Sequence, residues 1–183
     1  LSGGLEVSSD STIFSSAGTS PLTFTGAITG SSNLTIRGTG VIAVTAASTF
    51  SGQVNIYGVY GGGTVSLTGT HTIYSGGAIT AYDYNAYAPS VYTVGALTIN
   101  SGGILNIISN GSSSVGRIAV TGAFAINGAW TVNWTTATSA GTYTIVSTTG
   151  TLPTQLPTIG TNTSGRTIVF GWVSGVGLQA TLS

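Results

Sequence analysis

One pattern constrains this chain more than any other. Apolar and polar residues alternate in runs of three to five, and glycine closes nearly every run. Leu97-Thr-Ile-Asn-Ser-Gly-Gly-Ile-Leu-Asn-Ile107 is its clearest instance. Alternation at period two marks a strand with one buried face. Leu97 and Ile99 therefore share a side, and Ile104 or Leu105 with Ile107 resumes it after the bend. The apolar anchors Leu34, Val54, Ile73, Leu97 and Ile118 follow one another at intervals of 20, 19, 24 and 21 residues. A coil of two or three short strands joined by tight turns takes about twenty residues, the repeat of a parallel β-solenoid. A single coil cannot bury its own inward face, so stacked rungs about 4.8 Å apart must supply the core. The expected inward set is Leu34, Ile36, Ile42, Val44, Val54, Ile56, Val65, Leu67, Ile73, Ile79, Leu97, Ile99, Leu105, Ile107, Ile118, Val120, Phe124 and Ile126.

Composition narrows what such a stack can do. Only 3% of the 183 residues are charged, against about 25% in ordinary globular chains. The cations are Arg37, Arg117 and Arg166, the acids Glu6, Asp10 and Asp83, and the net charge is zero. A nucleic-acid groove or a basic membrane-surface patch has no footprint here. With 41% of residues apolar, the chain is not disordered. Ser, Thr, Asn and Gly must fill the solvent-facing positions. Such a surface lacks the charge repulsion that keeps small proteins apart, which favours assembly. The absence of cysteine excludes disulfides and thiolate chemistry, and the Ser/Thr/Gly surface fits an extracellular or cell-surface location. The missing initiator methionine and basic-apolar leader read as a processed or excised segment. Apolar runs such as Val41-Ile-Ala-Val44 are too short for a membrane helix. The strands are likewise shorter than the roughly ten residues of a membrane β-barrel.

Taken in order, the chain divides into an N-terminal segment or cap over 1–20, solenoid coils over 21–134, a linker over 135–140 and a C-terminal β cap over 141–183. No sustained helical periodicity interrupts this all-β reading. The stretch Ala81–Tyr92 reads as an excursion from the stack. In the tail, strands are expected at Tyr143–Ser147, Thr167–Trp172 and Gly177–Leu182, with Leu152-Pro-Thr-Gln-Leu-Pro157 as a stiff connection. A solenoid end exposes unpaired backbone, so the tail is expected to be an antiparallel cap or small sandwich. The fold class is a right-handed parallel β-helix with that cap.

Residues 22–56 carry a family likeness. Leu22-Thr-Phe-Thr-Gly-Ala-Ile-Thr-Gly30, then Leu34 through Gly38-Thr-Gly-Val-Ile-Ala-Val44, then Thr49-Phe-Ser-Gly52 and Val54 resemble the passenger-associated repeat of secreted autotransporters. The chain departs from that pattern at Ile36-Arg37 and at Ser48-Thr-Phe50. Ala140–Val146, Gly171-Trp172 and Leu178–Leu182 are similar to the final segment of such passengers. The resemblance implies a secreted bacterial surface protein, an adhesin module among them, on a β-helix.

Chemistry is sparse. His71 is the only histidine; as a base it would need an orienting acid, for which Asp83 is the candidate. Paired carboxylates could come only from Glu6, Asp10 and Asp83. Gly61-Gly-Gly63 has no following lysine and is a turn, not a phosphate loop. No enzymatic activity, cofactor or metal is expected. Seven of the eight tyrosines, Tyr57, Tyr60, Tyr74, Tyr82, Tyr84, Tyr87 and Tyr92, fall in or beside the excursion. Aromatic faces stack on sugars and anchor protein interfaces, so these are the candidate interface or glycan contacts. Trp130 and Trp134 flank Val132 on one strand face and are the candidate plug of the core. Sequons at Asn33, Asn110, Asn133 and Asn162 are candidate glycosylation sites. The expected function is a non-enzymatic extracellular filament subunit that associates by strand addition or end-to-end stacking. An adhesin binding glycans or neighbouring cells is the alternative, and a viral tail-fibre segment a third.

Overall fold

The computed structural model describes residues 2–15, 22–38, 42–50, 52–56, 65–82, 91–109, 115–135 and 138–183. Ile42, Ile56, Val65 and Leu67 lie in strands, but their side chains fall outside that description. The fold is all-β: a parallel β-solenoid with antiparallel strands at its C-terminal end. Seven strands make one sheet: β2 (Ser11–Ser15), β5 (Leu34–Gly38), β8 (Gln53–Ile56), β10 (Ala78–Tyr82), β12 (Ile104–Ile108), β15 (Thr131–Thr135) and β17 (Thr158–Asn162). Twelve make the other. Its parallel part holds β1 (Leu5–Val7), β3 (Leu22–Phe24), β4 (Ile28–Gly30), β6 (Ile42–Val44), β7 (Ser48–Phe50), β9 (Val65–Ile73), β11 (Val91–Asn100), β13 (Arg117–Val120), β14 (Phe124–Asn127) and β16 (Gly141–Thr148). Finally β18 (Ile168–Val173) and β19 (Gly177–Leu182) pair antiparallel.

Stacking puts like on like. Down the seven-stranded sheet, Leu34, Val54, Ile79, Leu105 and Val132 are partners in register, each at most 2% exposed. This column corrects the spacing read from the sequence. Leu34 and Val54 do stack, but Ile73 and Leu97 belong to the twelve-stranded sheet, where Ile73 meets Ile99 and Leu97 meets His71 and Phe124. Ile118 meets Tyr92 and Val146 on a third stretch. Each face of a coil carries its own apolar-x-apolar anchor, and such triplets look alike whichever face they serve. The true length of a coil varies along the chain, from 23 residues between Asp10 and Asn33 and 20 between Asn33 and Gln53 to 27 between Asn106 and Asn133.

The expected domain limits also move. β1 and β2 pair in parallel with β4 and β5, so residues 5–15 are already part of the stack and not a separate cap. Parallel pairing continues through β16 on β13 and β17 on β15, so among the described strands the antiparallel pairings are those of β19 with β16 and β18.

The corner inside Leu97–Ile107 explains its glycines. Gly102 has φ +80°, a left-handed conformation that costs glycine little. Its N–H donates to Ala129 O and its carbonyl accepts from Gly76, which has φ +79°, so corners stack on corners. At the shallower bend of β9, a Cβ on Gly69 would lie 2.0 Å from Ala46 O of the rung before. Glycine is needed there for close approach.

The outward side of the twelve-stranded sheet is as ordered as the core. Thr29, Thr49, Thr72 and Thr98 stand in one register column. Two residues back along each strand lie Ala27, Ala47, Thr70 and Ala96. Beyond the bend, Thr23, Ala43, Ser66, Thr93 and Ala119 form a third column, and Thr25, Thr45 and Thr121 belong to a fourth. All are exposed or half-exposed. Because β9 and β11 run unbroken through the bend, the four columns share one sheet.

Candidate functional site

Among the described residues the titratable groups do not converge. His71 is 2% exposed and is a rung of the core column between Ser48 and Leu97. Asp83 lies outside the described residues. Glu6 and Asp10 are exposed on different sheets, and Asp10 accepts hydrogen bonds from Asn33 N (3.0 Å) and Nδ2 (3.2 Å). No cluster of three or more His, Cys, Asp or Glu able to hold a metal occurs among the described residues.

Of the seven tyrosines expected at the surface, one is not there. Tyr92 is 3% exposed, in register with Ile118 and inside the core, which removes it from any surface contact. The signal was present: Tyr92 alternates with Val94 on the inward side of β11, so period two assigns it to the core. Its nearness to the other tyrosines in sequence is incidental. Tyr74 stands exposed at a corner (45%). Tyr82 closes β10, with its backbone opposite Ile108. Tyr57, Tyr60, Tyr84 and Tyr87 lie outside the described residues.

Of the sequons, Asn110 is outside the description and the other three are engaged. Asn133 Nδ2 donates to Asn106 Oδ1 (2.9 Å) while its Oδ1 accepts from Thr161 N (2.8 Å). Asn106 Nδ2 in turn donates to Thr80 Oγ1 (3.1 Å), giving a polar ladder along the axis. Asn33 Nδ2 is bonded to Asp10, and Asn162 Nδ2 to Arg166 O (2.8 Å). A glycan on any of these nitrogens would compete with a structural bond.

The tryptophans gather at the C-terminal end. Trp130 and Trp134 are 1% and 0% exposed on either side of Val132. Trp134 Nε1 donates to Thr138 Oγ1 (3.0 Å), and its ring packs on Tyr143 with centroids 6.1 Å apart. Gln155 O accepts from both Trp130 Nε1 (3.5 Å) and Trp172 Nε1 (3.2 Å), and Trp172 meets Phe124 edge-on at 5.8 Å. The stiff segment Leu152–Pro157 is thus tied over the end of the core. Arg166 Nε donates to Thr138 O (2.8 Å), fastening the loop before β18.

What this end leaves open is its most informative feature, and sequence reasoning missed it. β19 is antiparallel to β16 and β18 antiparallel to β19. Two reversals restore direction, so β18 runs the same way as the parallel strands. It is the last strand of its sheet. Thr167 and Ser183 exchange both backbone bonds at 3.1 Å. Alternation along an antiparallel pair then turns the N–H and C=O of Ile168, Phe170 and Trp172 away from β19, toward the open edge. Natural edges are blunted by lysine, proline, bulges or cover. β18 has none of the first three, and its six-residue register with β19 is unbroken. Val169 is 61% and Val173 38% exposed. β17, the last strand of the other sheet, is exposed along all five residues; Ile159 is in register on Val132 yet 41% exposed, so that core column has no roof. A bulge between Val132 and Trp134 shortens its pairing with β15. No protein-family model, curated protein or solved structure matches the chain.

Proposed function

We propose that this chain is a non-enzymatic, extracellular structural subunit that assembles end to end by strand addition. The observation that carries the reading is the unblunted edge of β18, which runs in the solenoid direction. At the opposite end, β1 and β2 are the outermost strands of the two sheets among the described residues. A second copy stacked in the same orientation would lay its β1 parallel on β18, continuing the twelve-stranded sheet. This contact is heterologous and repeats without closing. Main-chain hydrogen bonds would supply the adhesion, and the exposed faces of Ile168, Phe170 and Trp172 would be covered by the incoming strand. The near absence of charge removes the repulsion that would oppose it. The adhesin alternative has weaker support, because Tyr92 is in the core and Tyr74 stands at a corner. No helix among the described residues is long and apolar enough to cross a membrane.

Negative-stain imaging and sedimentation of the purified chain test the proposal. Concentrating the protein should lengthen its particles along one axis. Val169→Lys puts a charge beside the open edge at an exposed position, where the cost to folding is about 0.5 kcal/mol or less. It should leave monomers with an unchanged circular dichroism spectrum. Wild-type protein that stays monomeric at every concentration would contradict the reading.

A further inference from the structure

The outward columns of the twelve-stranded sheet have no role in end-to-end growth, yet they are the most regular surface of the molecule. At four positions per coil, over successive rungs, they present only threonine, serine and alanine, with glycine at the bend. Glu6 heads the Thr29 column on the first rung, and Val91 and Arg117 lie one pleat beyond the Thr93 and Ala119 column; between these limits no charged, aromatic or long aliphatic side chain interrupts the columns. The seven-stranded sheet is different: its outward side carries Asp10, Phe14 (60% exposed), Asn33, Gln53, Asn55 and Asn106. The contrast between the two faces lies in bulk and side-chain amides, not in charge, since Glu6 and Arg117 belong to the twelve-stranded sheet.

What such a face could hold follows from what it lacks. Protein interfaces rely on aromatic and arginine anchors, and none are present. Five rungs by seven residues make roughly 500 Å², below the about 800 Å² per partner of a stable protein complex. Sugar rings stack on aromatic faces, also missing, and between Glu6 and Arg117 at its margins a charged ligand would find no countercharge. The remaining partner is one whose own groups repeat. Rungs lie about 4.8 Å apart, and alternate residues along a strand about 6.7 Å apart. The water oxygens of hexagonal ice repeat at an interval close to the rung spacing.

We propose that this face binds ice. Threonine hydroxyls in the column Thr29, Thr49, Thr72 and Thr98 make no side-chain hydrogen bond among the described residues, which leaves them for lattice water. Their methyls and the neighbouring Ala27, Ala47 and Ala96 fill the spaces between hydroxyls without protruding. β-Branched side chains are stiff at χ1, so little rotamer entropy is lost on contact. Thr45 and Thr121 are held further, their hydroxyls donating to Phe24 O (3.3 Å) and Val94 O (3.2 Å) of the preceding rung. Low relief, and the absence of tightly hydrated charges from the rungs beyond Glu6, let ordered water meet the protein directly.

The test is ice-crystal shaping and the gap between melting and freezing, measured on the full chain just below the melting point. Wild type should facet growing crystals and open a gap. Thr72→Tyr, in the middle of the face, should abolish both. Asn55→Tyr, an equivalent outward position on the other sheet, should abolish neither. Should Thr72→Tyr fail to fold by circular dichroism, Thr49→Lys at a more exposed position of the same column replaces it, with the same loss expected. Rounded wild-type crystals with no gap, or equal loss from both faces, overturns the proposal. So does a wild-type dimer that Thr72→Tyr dissociates without any ice shaping, since the face would then belong to a second copy. Because Val169→Lys leaves this face intact, it should shape ice as wild type does, which separates this test from that of end-to-end growth.

Discussion

Trp134→Ala should destabilise the chain by about 3–5 kcal/mol, the range for emptying a buried aromatic site. Trp134 is fully buried, stacks on the Ile107 rung below and packs against Tyr143 from β16. Its indole N–H also anchors Thr138, whose carbonyl in turn receives Arg166. Removing the ring therefore opens a cavity and releases the loop that leads into β18. In urea the midpoint should fall sharply, and near-ultraviolet dichroism from the tryptophan cluster should collapse with it. Trp134→Phe, which keeps most of the volume and loses the N–H, should cost less. Equal losses for the two variants would place the energy in the Thr138 bond instead of the packing.

Ile99→Asn should be at least as damaging. Ile99 is 1% exposed between Ile73 and Ile126 in register, with rungs on both sides. The replacement loses buried hydrocarbon and leaves an amide without partners, about 4 kcal/mol or more in total. That is comparable with the whole stability of a typical domain. Since each rung rests only on its neighbours, the break should spread from the middle of the stack. Limited proteolysis should then cut on both sides of β11, whereas the same substitution at the outward Thr98 should leave the chain resistant.

The core was legible in the sequence because period-two alternation is a local property. Leu34 and Ile36, Leu97 and Ile99, and Leu105 and Ile107 could be assigned inward without knowing what they stack on, and each is buried. The antiparallel cap was legible for a general reason, that a solenoid end must deal with its unpaired backbone. What lay beyond the sequence was register. Ile73 was matched to Val54 by its spacing of 19 residues, yet Val54 rests under Ile79 and Ile73 on another sheet. The variable lengths of the turns, which vary the coil between 20 and 27 residues, hide that assignment. Once register is known, the threonine and alanine columns appear, as does the edge of β18. Tyr92 was misread for a different reason: nearness in sequence to other tyrosines outweighed its alternation with Val94. Ser48 and His71, buried one above the other, are polar residues inside a core column, where hydropathy alone expects none.

The central claim is that the C-terminal end is an unpaired strand edge awaiting another copy. Backbone hydrogen exchange at single-residue resolution, followed as a function of protein concentration, addresses it directly. In dilute solution the amides of Ile168, Phe170 and Trp172 should exchange freely while those of Val169 and Gly171, bonded to β19, are protected. As particles lengthen, the first three should become protected and the other two should change little. Edge amides that exchange freely in assembled material, or that are already protected in dilute monomer, would contradict it.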